Sequence, residues 1–376
     1  MKTLLQSLSH IAHVGAVLCA VVTVSACEDD GPIAVGFVGG LTGRGGDLGQ
    51  EGRDGAILAV ERVNASGGID GRKIQLLIKD DKQDREVAAR VDRELIDEGA
   101  VAIVGHMTSA MSVIGAPIVS KAEVLMISPT TSTNDLTGID DFFLRVYAPN
   151  KSEAVDMARH ARNKLGLDTV SIIYDVTNRA HTETWYKAFR AAFETLGGSV
   201  AGPVGYESGR GARFGVLAEK VTASGGGGVL ILANAHDTAL LCQHLRNGNF
   251  TGEILVNQWS VTTDIVQLGG PAVEGVHFFN TFDRDHHGEA FSAFKKAFVE
   301  RFKYQADFAA TFAFEATSML LDTLREAKGS QDLKRHILAK KSYAGLQGGF
   351  IFDAYGDVVR PRILMTIKNG ALIAQE

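Results

Sequence analysis

The sequence predicts an α/β protein built from two doubly wound parallel sheets. Three observations carry that reading. Short apolar runs alternate with helix-length segments along most of the chain. The runs are continuously apolar, as strands covered on both faces must be. No long polar linker divides the chain, so any boundary is made by short crossings. The length of 376 residues suits two domains of ordinary size.

In chain order, 33–38 reads as a buried first strand. The glycine-rich loop 39–49 lacks the Lys-Ser/Thr ending of a P-loop, and no G-x-G-x-x-G opens the helix at 50–64. It therefore reads as a binding-edge loop. Strand 74–79 ends in Asp80-Asp81, helix 86–98 follows, and strands 101–104 and 124–127 flank a helix that begins at Ser109. The second half repeats the pattern. Strands are expected at 142–146, 170–174, 229–233, 252–256 and 276–280, with helices at 152–165, 182–196, 214–221 and 235–246. Helices 290–302 and 309–327 come next, and strands 349–353 and 363–368 close the chain.

Composition bounds the function. At 45% hydrophobic, with 42 glycines and 7 prolines, the chain is globular, and a net charge of −6 excludes a basic nucleic-acid face. Residues 1–26 have the layout of a secretory signal: Lys2, an apolar run from Val14 to Val24, then Ser25 and Ala26 before Cys27. The V-S-A-C ending resembles a lipoprotein signal, which makes Cys27 the lipidated first mature residue and 27–32 a tether. Beyond Cys19 and Cys27 only Cys242 remains, too few for a disulfide framework, and it reads as a buried small apolar residue.

The binding chemistry concentrates at 100–136. A right-handed strand–helix–strand crossover brings the loops after 104 and 127 to one sheet edge. Ser109 then sits at a helix N-terminus, which favours an anion, with Thr130, Thr131 and Ser132 across a short gap. The same residues also suit helix capping and a Ser/Thr turn. No acid, thiol or histidine pair completes a catalytic set, so the expectation is to grip a carboxylate without reaction. His106 and Ser109 do not make a hydrolase triad, because no G-x-S-x-G elbow exists. The Asp283-Arg284-Asp285-His286-His287 run matches no metal-ligand spacing and reads as a solvated loop. His236-Asp237 and His181-Thr182-Glu183 fall at the ligand-facing edge of the second half, either touching ligand or capping helices. Neither a metal nor a cofactor is expected.

With the elements in order, the chain resembles the type I periplasmic binding proteins, in particular the branched-chain amino acid group of ABC-transporter receptors. The carriers are I-A-V-G-F-V-G-G-L-T-G (33–43), N-A-S-G-G-I-D-G-R-K-I (64–74), Asp80-Asp81 and I-V-G-H-M-T-S (103–109). They continue with L-M-I-S-P-T-T-S (125–132), G-G-P-A-V-E-G-V (269–276) and G-G-F-I-F-D-A-Y-G-D (348–357). The resemblance implies two lobes joined by three hinge crossovers, near 145–150, 279–284 and 350–356. Lobe I would comprise 33–147 plus 281–350, and lobe II 148–280 plus 351–376. It implies a monomeric, non-enzymatic receptor outside the cytoplasm that hands a small carboxylate, foremost a branched-chain amino acid, to a membrane permease. A sensory module on the same fold, or a keto- or aromatic-acid receptor, is the alternative.

The resemblance also implies site residues. The ligand carboxylate would be held by Ser109 and by the loop Thr130 to Ser132. Four departures from the family pattern mark the rest of the site: Leu48 in the first loop, Arg179 after the 170–174 strand, Asn234 after the 229–233 strand, and Gln258 beside Trp259. Gln258 stands where family members place the acid that receives the ligand's ammonium. Asp47, Glu183 or Asp237 would have to replace it, or the ligand has no ammonium.

Overall fold

The computed structural model describes residues 31–43, 46–209, 211–327 and 332–375. The expected leader 1–26 and the lipidation at Cys27 lie outside the described residues. No helix among those described is long and apolar enough to cross a membrane.

The chain opens with β1 (Ile33–Gly39), α1 (Gly46–Ala65), β2 (Ile74–Asp80), α2 (Arg85–Asp97), β3 (Ala102–Val104), α3 (Ser109–Ala122), β4 (Leu125–Ser128) and β5 (Phe143–Arg145). These five strands form one parallel sheet in the order β2-β1-β3-β4-β5. The chain then enters the second lobe through α4 (Asn150–Asn163), β6 (Thr169–Asp175), α5 (Arg179–Thr195), β7 (Ser199–Tyr206) and α6 (Phe214–Ala223). It continues there with β8 (Gly228–Leu232), α7 (Ala235–Asn247), β9 (Glu253–Val256), α8 (Thr263–Gly269) and β10 (His277–Asn280). It returns as α9 (Glu289–Phe302), α10 (Phe308–Glu326), α11 (Leu333–Lys340), β11 (Ser342–Gly345), β12 (Gly348–Phe352) and β13 (Val358–Val359). It finishes in the second lobe with β14 (Ile363–Lys368) and β15 (Ala371–Ala374).

Both sheets are covered on both faces, which explains their apolar strands. In the first, Val35, Phe37, Val104 and Ile127 pack toward α1, α9 and α10, while Val38, Ile103 and Met126 pack toward α2 and α3. In the second, Val229, Ile231 and Val256 face α6 and α7, and Ile172, Leu230 and Leu255 face α4 and α5. Helix α1 reaches α10 closely because residue 55 is glycine: a Cβ there would lie 2.2 Å from the Ala310 carbonyl oxygen. Cys242 is fully buried in α7, and burial pushes its thiol up to about 12.

Two expectations are corrected. The second sheet is not wholly parallel: its order is β15-β14-β10-β9-β8-β6-β7, with β10–β14 and β14–β15 antiparallel. The last hairpin turns through Asn369-Gly370, both at positive φ, as a two-residue turn between twisted strands requires. The assignment of 351–376 to lobe II also fails at its start. Phe350, Phe352 and Val358 belong to the first lobe's core, with Phe350 and Phe352 against Tyr343. The third crossing is therefore at 360–362, not 350–356. Arg360 marks it, lying over the Phe312 and Phe350 rings, pairing with buried Glu315 and donating to the Val146 carbonyl at 2.7 Å.

Candidate ligand-binding site

β3 and β4 run side by side, Val104 beside Ile127, and their loops are fastened from below. The His106 ring lies between Asp81 (2.8 Å) and Asp92 (3.1 Å), all three buried. Burial opposes a charge there, but the Asp92 and Asp81 carboxylates outweigh it and raise the imidazole to about 10. The His106 carbonyl in turn accepts from Ser128 Oγ at 2.7 Å, joining the two loops. A fixed imidazolium beneath the site explains why this histidine is no partner for Ser109.

Above that anchor, Ser109 Oγ accepts from the backbone N–H groups of Ser132 and Thr133, each at 3.2 Å. Its own hydroxyl hydrogen is left to be donated. Ser132 Oγ meets His181 Nδ1 of the second lobe at 2.8 Å. The state of that ring follows from its other side. Asn257 Nδ2, which can only donate, lies 2.6 Å from His181 Nε2. The ring hydrogen is then on Nδ1, Ser132 Oγ accepts it, and the Ser132 hydroxyl also keeps a hydrogen to donate. Burial holds His181 down to about 4, hence neutral.

Ser109 and Ser132 open onto a narrow cavity of about 20 Å³ between the lobes. A space of that size admits roughly one water, so the lobes are closed tightly over the site. Leu48, Met107, Trp259 and Phe308 make an apolar wall, and Trp259 reaches from the second lobe onto the first lobe's core. Thr130, Tyr147, Glu153, Asn178, His181 and Gln258 complete the lining. The lobes are latched around it. Asn178 Oδ1 accepts the Ala110 N–H at the start of α3 (3.0 Å), His181 meets Ser132, and Thr262 Oγ1 donates to Asp47 (3.4 Å).

Of the nine side chains expected at the site, the structure gathers Leu48, Ser109, Thr130, Ser132, Gln258 and Trp259 around the cavity. Three lie elsewhere. Thr131 turns inward, its Oγ1 2.6 Å from Ser112 Oγ and its N–H donating to Ser128 Oγ. Arg179 is 62% exposed and pairs with Glu183 one helical turn on, bordering an outer groove between the lobes and not the cavity. Asn234 caps α7, accepting the Asp237 N–H at 2.9 Å and donating to Ser208 Oγ. Thr130 lines the cavity with its hydroxyl hydrogen already given to the Met107 carbonyl (2.6 Å).

Gln258 is also committed. Its amide oxygen accepts from Tyr147 Oη and from Thr281, and its nitrogen donates to Asn280 and to Thr281 Oγ1 (3.1 Å). It ties the first and second crossings together. None of the three carboxylates considered as its replacement enters the cavity. Asp47 meets Thr262, Glu183 pairs with Arg179 and Lys187, and Asp237 accepts from Tyr206. The cavity's carboxylate is Glu153, in the first turn of α4 and only 4% exposed. In the sequence it passes for an ordinary acid favoured by a helix N-terminus. Its position beside the buried Ala154–Met157–Ala158 stripe was the signal available.

A profile of the family described as periplasmic binding protein matches residues 32–371. The chain belongs to the periplasmic binding protein family. It is a solute-binding protein located outside the cytoplasm, and not an enzyme. This periplasmic binding protein is 27% identical over 255 residues to a Leu/Ile/Val-binding protein homolog from Brucella melitensis biotype 1, covering 67% of this chain and 68% of the relative. Among solved structures, the substrate binding protein LivJ from Streptococcus pneumoniae, in complex with isoleucine, superposes with a TM-score of 0.83 at 22% identity over 91% of this chain and 98% of that one. A solute binding protein from R. palustris in complex with benzoate also reaches 0.83, at 18% identity over 92% and 95%. Type I lobes with a ligand cleft are thus common to receptors of different acids.

Proposed function

We infer that this periplasmic binding protein captures a small apolar amino acid of the branched-chain type and presents it to an ABC permease. The observation that carries the reading is the pairing of two donor hydroxyls, Ser109 and Ser132, with an apolar wall of Leu48, Met107, Trp259 and Phe308 in one small cavity. The hydroxyls and the start of α3 suit a carboxylate, and the wall suits an aliphatic side chain. The Leu/Ile/Val-binding relative supports the same ligand class. The benzoate-bound neighbour and the neutral amide of Gln258 favour a second reading, a keto or aromatic acid without an ammonium.

Melting scans and titrations with leucine, isoleucine, valine, their keto acids and benzoate test both. A ligand at 100 times its dissociation constant adds about 2.7 kcal/mol to stability, which a scan resolves as an upward shift. Leucine-type amino acids are expected to give that shift, and Ser109→Ala with Ser132→Ala to abolish it. No shift with any amino acid overturns the reading, and a shift only with keto acids or benzoate replaces it with the second.

A further inference from the structure

We propose that Glu153 receives the ligand's ammonium group, replacing the acid that Gln258 does not supply, and that binding releases the proton this carboxyl carries in the empty site. The inference rests on the amino-acid reading above and names the residue that selects for it.

Geometry carries it. Glu153 is the one carboxylate among the described residues that borders the cavity, and it is almost wholly buried. Its Oε1 accepts the Gln258 N–H at 3.4 Å, a long contact, and the buried Trp185 indole N–H also acts on the carboxyl, which still leaves it capacity for a further donor. The cation acting on it, Arg362, already pairs with Asp156 at 2.7 Å. A carboxyl so placed has little to offset the loss of water except a cation brought by the ligand. The cavity then holds complementary chemistry for each part of an amino acid: hydroxyls from the first lobe for the carboxylate, Glu153 from the second for the ammonium, and the apolar wall for the side chain. Because the two polar grips sit on different lobes, the ligand's own zwitterion bridges them.

The protonation follows. Burial pushes the empty-site carboxyl up to about 7, against the pull of Arg362 and the Gln258 N–H. The other groups around it do not titrate in the same range. His181 on α5 is neutral down to about 4, and His160 on α4, facing His277 of β10, is likewise held near 4 by burial. Tyr147 at the first crossing is held well above the ordinary phenol range, again chiefly by burial. Asp156, on the same helix, adds a charge that keeps Glu153 up. A bound ammonium favours the ionised form, so affinity for an amino acid rises with pH through 7. Ionisation of one group at about 7 makes the apparent affinity about tenfold weaker at pH 6 than at pH 8.

Calorimetric titration of the folded chain with leucine and with 4-methyl-2-oxopentanoate, at pH 6, 7 and 8, tests this, on wild type and on Glu153→Gln. Leucine is expected to lose about tenfold in affinity from pH 8 to 6, and the keto acid to lose none. Glu153→Gln, a nearly isosteric change, is expected to weaken leucine by at least about thirtyfold, to remove the pH dependence and to leave keto-acid binding intact or improved. The unliganded melt of the variant reports whether it folds, and the wild-type pH series stands without it. Leucine binding that is flat with pH and unchanged by Glu153→Gln overturns the assignment while leaving the amino-acid reading in place. Absence of leucine binding by wild type overturns the reading and the assignment together.

Discussion

Gln258 has the commitments of a joint more than those of a ligand contact. Both ends of its amide are used between Tyr147, Asn280 and Thr281, and its backbone N–H points to Glu153. Gln258→Glu would strip the two donated bonds and set a second carboxyl beside the first. Leaving a buried donor or acceptor unsatisfied costs about 1–3 kcal/mol, so this variant is expected to melt lower and to bind leucine no better. Tighter leucine binding, measured by titration, would contradict that. The sequence pointed to this position, which the structure places at the cavity, but composition shows an amide and not what holds it. The same limit explains Arg179 and Glu153. A helix start presents its residues at 100° intervals, and which of them faces the cleft depends on how the helix docks. Ser109 and Ser132 were legible because their loops are fixed by two strand ends, with little rotational freedom.

At the level of elements, the parts buried on both faces were legible, as were the edge strands β2 and β5, while β7, β11, β13 and β15 were not. β1, β6 and β8 are unbroken apolar runs, and α10 is buried along nearly its whole length. β7 carries Gly202, Pro203 and Gly205, pairs on one side only and slips register between Ser171 and Ile173, so its period is lost. β11 and β13 are short and lean on β12 and the first lobe's core, which gives them no pattern of their own, whereas β12 was expected at 349–353. The α1–α10 contact supplies a test at this scale. Gly55→Ala would place a methyl against the Ala310 carbonyl, and overpacking of this kind typically costs about 1–3 kcal/mol. A lowered melting temperature with unchanged ligand preference is the expected result. An unshifted melt would mean the two helices part at no cost.

For the whole molecule, three strands of backbone connect two separately packed sheets, so each lobe has a core of its own. The V-S-A-C run predicts a lipid anchor at Cys27: expressed in a bacterium with its own leader, the protein is expected to partition into detergent, and Cys27→Ser to abolish that. Mass spectrometry showing an unmodified cleaved N-terminus would refute it. The cleft latch has a consequence for the medium in which such a receptor works. Of its contacts, Asn178 to the Ala110 N–H, Ser132 to a neutral His181 and the Trp259 indole carry no full charge, and only the Thr262 hydroxyl meets a carboxyl, that of Asp47. Dissolved ions screen charges over a Debye length of about 8 Å at 0.15 M, but they find little to screen here. A latch made mostly of neutral dipoles is expected to close with little dependence on the salinity outside the cytoplasmic membrane.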